Sequence, residues 1–171
     1  MRTKFDPNEI IVRSDYAEIV LYDRRNQEKA RAIIDADRVP DVADTKWYQR
    51  PDGYVATNNY RGNGYTYLHS VVLNKTDTSV YADHRDRNRL NNKKSNLRIA
   101  TPSQNGMNKN PRSNNTSGKV GVHWSAWNQK WCAMICSHGR HINLGYFDDF
   151  EDAVARREAA EHEYFGDFKP V

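Results

Sequence analysis

Cysteine is scarce in this 171-residue chain. Cys132 and Cys136 are its two cysteines, and no Cys-x-x-Cys pair occurs. A disulfide scaffold and a cysteine-rich zinc site are thereby excluded, and a reducing cytosolic setting is the default. Long hydrophobic runs are missing too: nothing approaches the roughly 18 consecutive apolar residues of a membrane-spanning helix. The N-terminal stretch Met1 to Asp6 has no apolar core of the kind a signal peptide needs. A cytoplasmic protein with no membrane partner is expected. Acidic residues are absent from 116–147.

That last absence belongs to a larger pattern. The formal net charge is +4, but it is unevenly spread. Residues 1–82 carry 12 basic and 12 acidic side chains. Residues 83–115 are net +6, 116–147 net +3, and 148–171 net −5. A basic centre is thus flanked by a neutral head and an acidic tail. Polyanion binding explains such a block, and so does a solvated basic face. The length fits one domain or two small modules with modest cores.

Residues 1–65 read as a β-rich region. Glu9 to Arg13 and Tyr16 to Tyr22 are apolar, β-branched runs joined by a tight turn at Ser14-Asp15. Ala30, Ile33 and Ile34 share one side of a short helix expected over 26–34. Trp47 to Arg50 and Tyr54 to Thr57 flank the turn Pro51-Asp52-Gly53, a β-hairpin pattern, and 58–64 reads as a loop. A short apolar helix is expected from Thr66 to Leu73, then strands at Ser79 to His84 and Asn96 to Ala100 around a polar loop. Thr101 and Pro102 suit the N-cap and first position of a helix running to about Asn110. Residues 111–118 form a polar linker. Three β-runs follow, 119–124, 130–137 and 140–147, the last two separated by His138-Gly139. A helix capped by Asp148 or Asp149 and ended by Gly166 closes the chain, with Phe150, Ala153, Val154, Arg157, Ala160 and Tyr164 toward the sheet.

The chemistry-bearing stretch runs from Asp83-His84 through Leu90-Asn91-Asn92 and Ser95-Asn96-Leu97-Arg98 to Gln104-Asn105. Nine asparagines lie between 88 and 115. A hairpin ending in Asp-His, closed by a helix that returns an Asn, can form an oxygen-lined cup. Asp83 and Asn105 are hard oxygen donors of the kind Mg²⁺ or Mn²⁺ accepts. His84 can act as general base on water. Asn96 can fix the hairpin loop through backbone hydrogen bonds or orient the imidazole.

These residues resemble the HNH nucleases, in the phage homing-endonuclease branch of the His-metal finger superfamily. His84 and Asn96 are 12 apart, and Asn96 and Asn105 are 9 apart, as in that branch. The resemblance covers roughly 66–110. It implies a ββα-metal finger in which His84 is the general base and Asn96 the middle asparagine. Asp83 and Asn105 would then ligate one divalent metal, Mg²⁺ or Mn²⁺, and no structural zinc is expected. The third position is Asn105 where the wider family has His. Branch members often carry a His in the preceding helix; His69 stands there and is left outside the catalytic set. Arg85, Arg87, Arg89, Lys93, Lys94 and Arg98 are the candidates for contact with DNA.

Residues 117–168 resemble the APETALA/ethylene-response-factor DNA-binding domain. Ser117 to Val122, Lys130 to Ile135, Leu144 to Phe147 and Glu151 to Arg156 carry the likeness. It implies a three-stranded sheet lying in the major groove of double-stranded DNA, supported by a helix. Val120, Val122, Ala133 and Ile135 are expected toward the helix. Lys119, His123, Trp124, Trp127, Lys130, Arg140 and His141 are the candidates for DNA contact. Val120, His123 and Cys136 stand where that family has basic residues, which favours phosphate or shape contacts over base readout. Trp131 is assigned to the core, and both cysteines are expected as packed thiols.

The expectation is therefore an α+β chain: a β-rich region over 1–65, a ββα-metal finger over 66–110, a linker over 111–118, and a DNA-binding sheet-and-helix module over 119–171. It would act as a monomeric, metal-dependent DNA endonuclease, in the host-cell cytoplasm if phage-encoded. The other class considered is a non-catalytic DNA-binding regulator with a decayed nuclease fold.

Overall fold

Strand alternation builds the first sheet. A computed structural model describes residues 6–59, 64–111 and 113–170. The chain divides into two compact units, 1–99 and 100–171.

In the first unit, β1 (Ile10–Val12), β2 (Tyr16–Tyr22) and β3 (Glu28–Asp35) form an antiparallel sheet in that order. The helix expected over 26–34 is strand β3. Its Glu-Lys-Ala-Arg start favours helix locally, but Ala32 and Ile34 are fully buried while Arg31 stays exposed. That period of two matches β2, which pairs with β3 from Tyr16↔Asp35 to Tyr22↔Glu28. Tertiary pairing overrides the local preference. The turn between them is built by Asp23, whose Oδ1 accepts from the Arg25 and Gln27 backbone N–H groups.

A short helix α1 (Val39–Val42) leads to a second sheet of β4 (Tyr48–Gln49), β5 (Val55–Asn58) and β6 (Tyr65–Tyr67). The hairpin around Pro51 is as expected. The helix expected from Thr66 begins later, because Tyr65–Tyr67 pair with β5; helix α2 spans Leu68–Val72. Residues 60–63 of the expected loop lie outside the described residues. Then β7 (Tyr81–His84) pairs with β8 (Leu97–Ala100). One apolar cluster joins these parts: Ile19 and Ile34 of the first sheet, Trp47, Val55 of the second, Leu68 of α2 and Leu97 of β8. The 1–65 region and the strands around Asp83-His84 therefore share a core.

The second unit opens with α3 (Pro102–Met107). Thr101 caps it in a reciprocal box: its backbone N–H donates to Gln104 Oε1, and the Gln104 N–H donates to Thr101 Oγ1. The helix ends at Met107, short of Asn110. β9 (Val122–Ser125), β10 (Lys130–Ser137) and β11 (Arg140–Phe147) form an antiparallel sheet with β10 central. His138 and Gly139 both take positive φ, as a two-residue hairpin turn of the primed type requires. α4 (Phe150–Phe165) packs on this sheet, and Gly166, at φ +51°, ends it. Val122, Ala133 and Ala153 form one core cluster with Trp131 and Phe150; Ile135, Ala160 and Phe165 form another that takes in Met107. Among the described residues no helix is long and apolar enough to cross a membrane.

Candidate active site

The Asp83-His84 pair stands at the end of β7, where the chain leaves the sheet for the loop 85–96. That loop is closed by its own polar groups. The Arg85 N–H donates to Asn96 O at 2.8 Å, and the Arg87 N–H to His84 O at 2.9 Å. Asn96 accepts the Asp86 N–H on Oδ1 at 3.1 Å and donates through Nδ2 to Asp86 Oδ1 at 2.8 Å and Asn91 O at 2.7 Å. Asp86 also accepts from Asn91 Nδ2 and from the Asn88 N–H. Of the two roles open to Asn96, these bonds carry out the first: it fixes the hairpin loop.

His84 is 4% exposed. Its Nε2 lies 3.3 Å from Oδ1 of Asn92. Its other neighbours include aromatic rings, Tyr54 at 5.8 Å and His69 at 5.5 Å between centroids. Burial pushes the His84 imidazole below its ordinary pKa, opposed by the Asn92 contact. His84 is thus held neutral near pH 7, the form a general base needs. His69 is lowered to about 3, first by burial and then by the charges of His84 and Lys75. It stacks on Tyr67 at 5.1 Å, and its Nδ1 has no hydrogen-bond partner.

Asp83 is nearly as buried, at 6% exposure. Arg98 Nε donates to its Oδ2 at 2.7 Å, and Nη2 lies 2.6 Å from the same oxygen. A carboxylate fits a hard divalent cation, and Mg²⁺ characteristically takes one or two carboxylates and leaves the rest of its shell to water and phosphate oxygens. Among the described residues no group of three or more His, Cys, Asp or Glu could hold a metal. An ion anchored at Asp83 would be of that open kind. Asn105 lies on α3 in the second unit.

The other expected DNA contacts are sorted by their neighbours. Arg98 is buried on Asp83 and not displayed at the surface. Lys93 pairs with Asp15 at 3.3 Å and Lys94 with Asp37 at 3.5 Å. Arg89 lies over the Tyr54 ring at 4.5 Å and donates to Asp52 O. Arg85 is exposed, and Arg87 takes positive φ in the turn after His84. In the second unit, Lys119 is drawn to Glu158 at 2.8 Å and Glu161 at 3.7 Å of α4. Register puts His123 beside Cys132, and His141 beside Cys136, with Lys130 on that same outer row, away from α4. Trp124 lies in the row of Trp131 on the α4 side, edge-on to it at 5.5 Å. Arg140 pairs with the inward Ser137. Trp127, 94% exposed, sits between β9 and β10. Trp131 packs on Phe150 at 4.8 Å, as assigned. Both thiols are free, and the register sets both on the face away from α4; Cys132 is buried there and Cys136 is exposed.

Sequence reasoning missed Asn92, Tyr54 and Asp86 as parts of this site. Asn92 lay inside the quoted Leu90-Asn91-Asn92 run, but nothing in the spacing says which amide meets the ring.

A buried imidazole beside a buried carboxylate at a strand end is an arrangement able to accept a proton. Comparison with known proteins supplies a family. The chain is 32% identical over 139 residues to a protein of Acanthamoeba polyphaga mimivirus named as an uncharacterized HNH endonuclease, covering 80% of this chain and 72% of that one. It is 35% identical over 88 residues to Protein 3.8 of Escherichia phage T7, covering 52% of this chain and 72% of the relative. No protein-family model matches the chain, and no solved structure matches it. The chain belongs to the HNH endonuclease family.

Proposed function

We propose that the protein is a metal-dependent DNA endonuclease of the homing type that hydrolyses a phosphodiester bond of double-stranded DNA. The observation that carries this reading is the buried His84 imidazole, contacted by Asn92 and standing beside Asp83 at the end of β7. His84 takes a proton from water; the water oxygen attacks phosphorus and the bond to the 3′ oxygen breaks. Asp83 would hold one Mg²⁺ or Mn²⁺, which when bound supplies positive charge against the charge developing on the phosphate and the leaving oxygen. Asn96 keeps the loop closed, and Arg85 and Arg87 are the cations nearest in sequence to the base for engaging the phosphate backbone. The outer face of the β9–β11 sheet, free of acidic side chains, tethers DNA and raises its local concentration. One such centre in a monomer nicks.

The test is supercoiled plasmid incubated with Mg²⁺ or Mn²⁺, the parent beside His84→Ala. Removal of the general base is expected to cut nicking by about 10²–10⁴-fold, with DNA binding kept. Equal nicking by both would overturn the role of His84. Binding by the parent without any nicking would favour a non-catalytic regulator.

A further inference from the structure

Two asparagines contact the His84 loop, and they do different work. Asn96 closes the loop without touching the ring. We infer that Asn92, held from behind by strand β3 of the N-terminal sheet, is the positioning residue that fixes the His84 tautomer with hydrogen on Nε2.

The amide of Asn92 has one orientation that satisfies its neighbours. Its Nδ2 donates to Arg89 O at 3.2 Å, so Oδ1 is the atom turned to His84 Nε2 at 3.3 Å. The reverse orientation would set an amide oxygen against a carbonyl oxygen, two acceptors with no proton between them. An amide oxygen only accepts, so Nε2 carries the hydrogen. In the neutral ring the lone pair then lies on Nδ1, the nitrogen that takes the proton from water.

Asn92 can impose this because burial and hydrogen bonds hold it in place. It is 1% exposed, and its backbone N–H donates to Ile33 O of β3 at 2.7 Å. The Ile33 N–H returns a bond to Leu90 O at 2.8 Å, so Ile33 and Asn91 form a parallel bridge. Asp35, at the end of β3, accepts the Lys94 N–H at 2.7 Å. The N-terminal sheet, whose purpose the sequence leaves open, thereby reaches the imidazole through one residue.

This inference rests on His84 being the base, but its first readout needs no turnover. Side-chain ¹⁵N spectra of the metal-free protein at neutral pH, with the His84 signals assigned by loss in His84→Gln, are expected to show Nε2–H. In Asn92→Leu, which keeps the bulk and removes the acceptor, the ring is expected to become a mixture of tautomers. Asn92→Asp, which retains an acceptor, is expected to restore Nε2–H. On plasmid, kcat is expected to fall about ten- to hundredfold in Asn92→Leu, with KM unchanged and with partial recovery in Asn92→Asp. An Nδ1–H tautomer in the parent protein overturns the inference by itself, whether or not a variant folds. So does an unaltered tautomer in a folded Asn92→Leu. A parent that cleaves nothing, yet whose tautomer depends on residue 92, upholds the positioning role and sinks the nuclease reading.

Discussion

The loop around His84 is tied at almost every residue, whereas the outer face of the β9–β11 sheet is open and presents side chains of several kinds. In the first region amides and carboxylates spend their hydrogen bonds on each other: Asn96 on Asp86 and Asn91, Asn92 on His84 and Arg89, Arg98 on Asp83. In the second, Trp127 is nearly fully exposed and His123, Lys130 and His141 share an outer row. The contrast suits the two tasks proposed for these regions. Chemistry needs a base held in one orientation, and sequence-tolerant binding to phosphates needs accessible cations. The regions agree in one respect. The basic blocks are partly cancelled by carboxylates from their neighbours in sequence: Asp15 and Asp37 of the head meet Lys93 and Lys94, and Glu158 and Asp148 of the tail meet Lys119 and Lys130.

Three measurements probe the difference between the two regions. The largest effect is expected at Gly121, which has φ +81° and stands where a Cβ would lie 2.4 Å from Met134 O and 2.5 Å from Arg157 Nε. Gly121→Ala is expected to destabilise the second unit by at least about 2 kcal/mol, read as a lower urea midpoint with weakened DNA binding. An unchanged midpoint would show that the entry to β9 is not rigidly seated.

Acid should act on the first region. His69 is neutral when folded, with its pKa down at about 3 against an ordinary 6.5. Its stabilisation is complete above pH 6.5 and is lost as pH falls toward 3, by about 1.4 kcal/mol per unit, or about 2 kcal/mol at pH 5. His84, also lowered by burial, adds in the same direction. His69→Phe keeps a ring beside Tyr67 and is expected to flatten part of the fall between pH 6.5 and 5 in denaturant titrations. An equal fall in the variant would assign the acid sensitivity elsewhere.

The smallest effect separates free from engaged cations. Among the described residues Arg140, exposed at the hairpin end of the sheet, has no carboxylate partner, whereas Lys119 is shared by Glu158 and Glu161. Arg140→Ala is expected to weaken DNA binding and to lower the salt slope by about 1, while Lys119→Ala leaves the slope nearly unchanged. Salt titrations of binding by anisotropy read both. Equal slopes would mean that DNA displaces the acidic partners of Lys119.

Much of this was legible in the residues. The strand-end Asp83-His84, the Thr101-Pro102 helix start, the His138-Gly139 turn and the stop at Gly166 are all local signals, and each acts within a few residues. Strand β3 was not legible, because Glu28 to Arg31 reads as helix until β2 lies beside it. The partner of His84 was not legible either. Asn88, Asn91, Asn92 and Asn96 are chemically equivalent on paper, and spacing alone favoured the one at twelve residues.

By itself, the amino-acid sequence determined which groups could react and where the chain would turn, since caps, turns and alternation are short-range. The tertiary structure alone decided which asparagine meets the imidazole and which cations stay available. Those outcomes depend on contacts of a few ångströms between residues distant in the chain, as when the Ile33 carbonyl takes the Asn92 N–H and turns its amide toward His84.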